Sequence, residues 1–173
     1  MHKIFRNRKE PLVLSEKVKL SSDNADVESV FINSYLCDGG VPMNGTHHAN
    51  HYNLRVYDLE KKKLIVSKTY FHEKANSVLG ELESIREACE TAHKYATIYN
   101  DSKIALYYIN NGVPEGSQNF IEIKDIVSKI KKLIFNKELS ILWWDNKKET
   151  NYADCKLPFK DVKKSAWKRR YKN

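Results

Sequence analysis

No apolar run in this chain is longer than a few residues, which leaves no stretch able to form a membrane-spanning helix. The opening residues Met1-His2-Lys3-Ile4-Phe5-Arg6 contain no apolar core of signal-peptide length, so the chain is read as cytoplasmic and unanchored. Without a secretory signal, the triplets Asn44-Gly45-Thr46 and Asn100-Asp101-Ser102 have no meaning as glycosylation acceptors. Cysteine is scarce as well. Cys37, Cys89 and Cys155 are widely spaced and odd in number, which implies neither a disulfide framework nor a zinc knuckle, and they are expected to be reduced packing residues. What remains is ordinary: 173 residues, 41% hydrophobic and 30% charged, suit one domain with a real core.

The net charge of +8 is unevenly spread. Residues 155–173 carry eight Lys/Arg against Asp161 alone, and residues 1–20 carry six against Glu10 and Glu16, so the middle of the chain is slightly acidic. Basic ends of this kind are commonly solvated. Trp167 and Tyr171, interleaved with Lys168, Arg169 and Arg170, also suit phosphate contact combined with base stacking, in which Lys164 would join.

Residues 1–26 show no sustained period and read as an arm with at most a short edge strand. A first strand is expected over 27–38, with Val30, Phe31, Ile32, Tyr35 and Leu36 as its apolar residues. It ends on Asp38 and turns through Gly39 and Gly40, with a second turn signal at Asn44-Gly45. Alternation predicts strands over 51–57 and 64–71, making an antiparallel meander. Asn76 or Ser77 caps a helix to about residue 95, with Leu82, Ile85, Cys89 and Ala92 inward and Glu83, Arg86, Glu87 and Glu90 outward. A fourth strand over 96–102, a short helix through Ile104 to Ile109, an amphipathic helix through Ile123 to Ile134, and a fifth strand over 139–144, buried on both faces, complete the order. The strand–helix–strand spacing implies parallel pairing of the later strands.

Taken alone, Asp38-Gly39-Gly40 is an ordinary β-turn, although its acid would stand at the lip of a sheet, where a metal ligand could sit and paired glycines let backbone amides approach a bound group. Glu81 lies in line with Ile85 and Ala88, so it faces the apolar side of its helix; an acid in a first helical turn also answers the helix dipole. Asp101 ends the fourth strand and Asp154 opens the last segment. His47, His48 and His51 are numerous enough for a transition metal, but their turn position and spacing favour exposed histidines instead.

In this order, Asp38-Gly39-Gly40 with Asn44, Leu79-Gly80-Glu81-Leu82, Tyr99-Asn100-Asp101-Ser102 and Ala153-Asp154 after an aromatic strand resemble type 1 ribonuclease H, within the ribonuclease H-like superfamily, over roughly residues 28–158. The resemblance implies an α/β fold: a five-stranded mixed sheet, three antiparallel strands then two parallel, flanked by helices. The corresponding division is an arm at 1–26, a catalytic domain at 27–158 and a basic tail at 159–173. It further implies Asp38, Glu81, Asp101 and Asp154 as catalytic ligands of two Mg²⁺ ions, with Mn²⁺ as a substitute. The reaction would be endonucleolytic cleavage of the RNA strand of an RNA–DNA hybrid to 5′-phosphate and 3′-hydroxyl ends. Gly39, Gly40, Asn44, Asn76, Ser77 and Ser102 would contact substrate, while Val78 stands where the family has an Asn and cannot hydrogen-bond. The last loop, 146–150, lacks the family's His, with Glu149 as a substitute, and the basic tail is expected to grip the hybrid. Two other readings are a nuclease of the same fold acting on another nucleic acid and a catalytically weak binding module.

Overall fold

A chain that alternates apolar and polar residues over 49–75 and then changes to a helical period builds a sheet first and covers it afterwards. The computed structural model describes residues 31–42 and 49–155. Its elements are β1 (Ser34–Gly40), β2 (Ala49–Asp58), β3 (Lys63–Ala75), α1 (Ser77–Thr91), β4 (Thr97–Asn100), α2 (Lys103–Asn111), α3 (Phe120–Lys137) and β5 (Ser140–Trp143). They form one sheet in the order β3-β2-β1-β4-β5, with β1–β2 and β2–β3 antiparallel and β1–β4 and β4–β5 parallel. The expected five-stranded mixed sheet is present. Among the described residues no helix is long and apolar enough to cross a membrane.

The period of two in β1 sorts its side chains onto two faces. Tyr35 and Cys37 join Leu54, Val56 and Ile98 beneath the helices, with Leu79, Leu82 and Ile85 of α1, Ala105 and Ile109 of α2, and Ile123 and Ile130 of α3. Leu36 belongs to a smaller cluster on the other face with Leu59, Trp144 and Ala153, edged by Phe31, Tyr57 and Tyr99. Asp38 continues the Leu36 side by the same alternation.

Side chains set the helix ends. Asn76 Oδ1 accepts from the Leu79 amide at 2.8 Å and Ser102 Oγ from the Ala105 amide at 3.2 Å, capping α1 and α2. Lys137 Nζ donates to the carbonyls of Cys89, Glu90 and Ala92, which ends α1 at Thr91, short of the expected 95.

Four local expectations are corrected. Strand β1 begins at Ser34, because Asn33 takes a left-handed conformation (φ 46°) and Ile32 is exposed; residues 27–30 lie outside the described residues. Gly39 and Gly40 are not a turn but the last residues of β1, paired with Leu54 and Asn53. Strand β5 is an edge strand with Ser140 exposed and Leu142 and Trp143 only half-buried, so it is not covered on both faces. Glu87 is buried rather than outward, since Lys68 reaches over from β3 and donates to it at 2.5 Å.

Candidate metal centre

Helix α1 and strand β1 meet backbone to backbone at three glycines. A Cβ on Gly39 would stand 2.0 Å from the Gly80 carbonyl oxygen, and one on Gly80 would stand 3.0 Å from the Gly40 nitrogen. Only hydrogen fits there, so α1 lies directly on the end of β1 and the residue after Gly80 is carried to the strand end. That residue is Glu81. Its Oε2 accepts from the Gly39 amide at 3.1 Å and from Asn100 Nδ2 at 2.9 Å. The close backbone approach expected of the glycine pair is real, but it serves the helix.

Asp101 follows the last residue of β4, which lies parallel to β1, so both strands deliver an acid to the same end of the sheet. Asp38, Glu81 and Asp101 each present a carboxylate oxygen, and these three atoms lie within 4.8 Å of one another. One oxygen of each carboxylate is held by N–H donors. Asp38 Oδ2 accepts from the Cys155 amide at 2.7 Å, Glu81 Oε2 is held as described, and Asp101 Oδ2 accepts from Asn146 Nδ2 and, at 3.4 Å, from Asn151 Nδ2. Among the described residues the other oxygen of each accepts no hydrogen bond.

The electrostatics are those of crowded carboxylates that a cation would relieve. Burial, and then the charges of Asp101 and Asp154, push the Asp38 carboxyl up to about 7 against the opposing Cys155 amide. Burial and the neighbouring Asp38 likewise raise Glu81 well above the usual carboxylate range. Three oxygens with no nitrogen or sulfur among them form a hard donor set that fits Mg²⁺ or Mn²⁺ better than zinc.

Asp154 is not one of these three, although it is near enough for its charge to raise Asp38. Its backbone carbonyl accepts from Arg55 Nη1. Asn76 and Ser102 are engaged as helix caps, Asn76 Nδ2 also lying 3.4 Å from Gln118 Oε1, and Ser77 is exposed at the start of α1. Val78 is half-buried and packs against the core. His51 is not an exposed turn histidine: it lies in β2, buried, with Nδ1 2.7 Å from Asn50 Oδ1 and its ring beside Phe71. Asn44, His47, His48, Lys164, Trp167, Lys168, Arg169 and Arg170, together with the arm at 1–26, lie outside the described residues.

Four residues at the site were not singled out from sequence: Asn100, Asn146, Asn151 and Cys155. Asn100 is fully buried and joins Glu81, the Cys37 carbonyl and the Ser102 amide; its signal was a polar residue at the end of an otherwise apolar strand, one before the acid. Asn151 and Cys155 hold Asp101 and Asp38 from a single short segment, which no periodicity announces.

Neither family models nor curated proteins match this sequence. Solved structures do. RNase H1 from the halophilic archaeon Halobacterium salinarum aligns over 70% of this chain and 90% of its own at 12% identity, with a TM-score of 0.51. The N-terminal RNase H domain of a Mycobacterium tuberculosis protein, fused to maltose-binding protein, is 15% identical over 70% and 93% (TM-score 0.49). LC11-RNase H1 in complex with an RNA/DNA hybrid is 16% identical over 70% and 90% (TM-score 0.48). The chain has the ribonuclease H-like fold. On that fold an acidic triad stands on β1, α1 and the residue after β4.

Proposed function

We propose that this protein is a metal-dependent endonuclease that cleaves the RNA strand of RNA–DNA hybrids, leaving 5′-phosphate and 3′-hydroxyl ends. The observation that carries the reading is the convergence of Asp38, Glu81 and Asp101 within 4.8 Å at one end of a ribonuclease H-like sheet. Crowded, partly buried carboxylates are destabilising unless protons or cations neutralise them, and a phosphodiester cannot approach three unneutralised anions. The three open oxygens would hold one divalent cation, with Asp38 and the nearby Asp154 contributing to a second. Such ions supply an activated water and stabilise the leaving oxygen. The chain's own part is to fix the ligands: the Gly39 amide and Asn100 orient Glu81, Asn146 and Asn151 orient Asp101, and the Cys155 amide orients Asp38.

Substrate contacts are assigned to the surroundings of this triad. Asn44, Asn76, Ser77 and Ser102 would meet the hybrid backbone with Gly39 and Gly40 beneath, and Lys164, Trp167, Lys168, Arg169 and Arg170 would supply phosphate and stacking contacts from the tail. One observation favours a second reading, a nuclease of the same fold with relaxed choice of duplex. Val78, beside Asn76 and Ser77, turns an apolar side chain into the core and offers no hydrogen bond to a 2′-hydroxyl.

Labelled RNA–DNA hybrid, duplex RNA and duplex DNA, each incubated with the protein and Mg²⁺, separate these readings. Cleavage confined to the RNA strand of the hybrid supports the first, and cleavage of another duplex at a comparable rate supports the second. No cleavage of any substrate in Mg²⁺ or Mn²⁺ overturns both.

A further inference from the structure

Arg55 is a charged residue in the middle of the second strand, only 4% exposed, and paired across the ladder with Asp38. A guanidinium taken out of water is strongly unfavourable unless its donors are used. By the alternation of β2, Leu54 and Val56 face the helices, which puts Arg55 and Tyr57 on the opposite face, under residues 151–155. Tyr57 stacks on Tyr152 (5.3 Å between ring centroids), and Arg55 Nη1 donates to the Asp154 carbonyl.

The segment that Arg55 holds joins two of the three acids. At one end Asn151 Nδ2 reaches Asp101. Inside the turn, Asn151 accepts from the Ala153 amide at 3.0 Å through Oδ1 and from the Asp154 amide at 3.2 Å through its backbone carbonyl. At the other end the Cys155 amide donates to Asp38 Oδ2, and Cys155 Sγ to the Asp38 carbonyl at 3.4 Å. The segment therefore bridges the ends of β1 and β4, and its orientation decides which carboxylate oxygens stay open.

We propose that Arg55 is a positioning residue of the metal centre: by gripping the Asp154 carbonyl from β2 it seats the 151–155 bridge, which in turn aims Asp38 and Asp101 at the cation. This rests on the metal-dependent reading above. It also runs against simple electrostatics, which is what makes it testable. A fixed positive charge beside a cation site repels the cation, so an Arg55 acting by charge alone weakens metal binding, and its removal would tighten it. A positioning Arg55 does the opposite. Lysine keeps the charge but not the planar fork, so it separates the two roles.

The experiment uses the full chain as wild type, Arg55→Lys and Arg55→Met, with two measurements on each. Hydrogen exchange of the Cys155 amide, followed by NMR in metal-free buffer, reports whether the bridge is seated. Mn²⁺ affinity, followed by electron paramagnetic resonance, reports the ligand set. The expected result is at least tenfold faster Cys155 exchange in Arg55→Met and a Mn²⁺ dissociation constant raised about 10- to 100-fold, the range for loss of a group that orients metal ligands, with Arg55→Lys intermediate. Unchanged Cys155 exchange, or Mn²⁺ bound as tightly or more tightly by folded Arg55→Met, overturns the proposal. Unfolding of both variants assigns Arg55 to stability alone and overturns it too. If wild type binds no Mn²⁺ while Cys155 exchange still responds to Arg55, the metal-dependent reading fails and the seating of the bridge by Arg55 stands.

Discussion

Asn100 Nδ2 donates to Glu81 Oε2 at 2.9 Å inside the protein, tying the end of β4 to the second turn of α1. The same amide reaches the Cys37 carbonyl at 3.0 Å, and its Oδ1 accepts from the Ser102 amide at 2.9 Å. One neutral side chain thus links three elements that carry the acids. Replacing it by alanine leaves buried donors and acceptors unmatched, so Asn100→Ala is expected to lose about 2 kcal/mol of stability in urea denaturation. It should also weaken Mg²⁺ binding, because Glu81 loses its side-chain anchor. An unchanged denaturation midpoint would show that the link is dispensable.

The glycine contact makes a prediction with its own control. Gly39→Ala drives a methyl into the Gly80 carbonyl, backbone against backbone, and is expected to cost about 3 kcal/mol and to push α1, with Glu81, off the strand. Gly40→Ala meets nothing within 4 Å and should stay close to wild type in thermal melting. Equal melting temperatures for the two variants would contradict the close helix–strand seat.

Much of this architecture was legible in the sequence. The alternation of 51–57 and 64–71, the cap at Asn76 and the apolar stripe through Ile123 and Ile134 each correspond to an observed element, since each signal is local and periodic. The inward turn of Glu81 followed from its phase with Ile85. What could not be read was pairwise and distant. Gly39 and Gly40 carry the same letters whether they turn or end a strand, and only the position of Gly80 decides between the two. Nothing in the alternating strand over 51–57 marks Arg55 as buried, because the segment that covers it, 151–155, comes 96 residues or more later in the chain. The same distance hid Cys155 as the amide donor to Asp38.

The raised Asp38 carboxyl gives a pH dependence whose sign is fixed. With its folded value near 7 and an ordinary unfolded value of 3.8, the folded state holds more protons between those limits, so its contribution to stability falls as pH rises through that window. Glu81 shifts in the same direction. Metal-free protein should therefore melt at a higher temperature at pH 5.5 than at pH 8, with the difference reduced in Asp38→Asn. Added Mg²⁺ should stabilise more at pH 8, where protons no longer compete. Equal Mg²⁺ stabilisation at both pH values would contradict the role of Asp38.

If the basic tail grips nucleic acid through phosphates, its contribution must depend on salt. Replacing Lys164, Lys168, Arg169 and Arg170 together by alanine should weaken hybrid binding most at low salt and flatten the plot of log affinity against log salt by about one unit per lost contact. A parallel plot, measured by fluorescence anisotropy, would assign the tail to solvation.

The central claim is that three carboxylates form a metal-dependent nuclease centre, and the most direct measurement is Mg²⁺-titrated cleavage of a labelled RNA–DNA hybrid by wild type, Asp38→Asn and Glu81→Gln. The account predicts RNA-strand cleavage that rises with Mg²⁺ in the wild type and falls at least a hundredfold in both variants, which keep the shape of the site but not its charge. Cleavage that persists in Asp38→Asn, or that is independent of Mg²⁺, would contradict it.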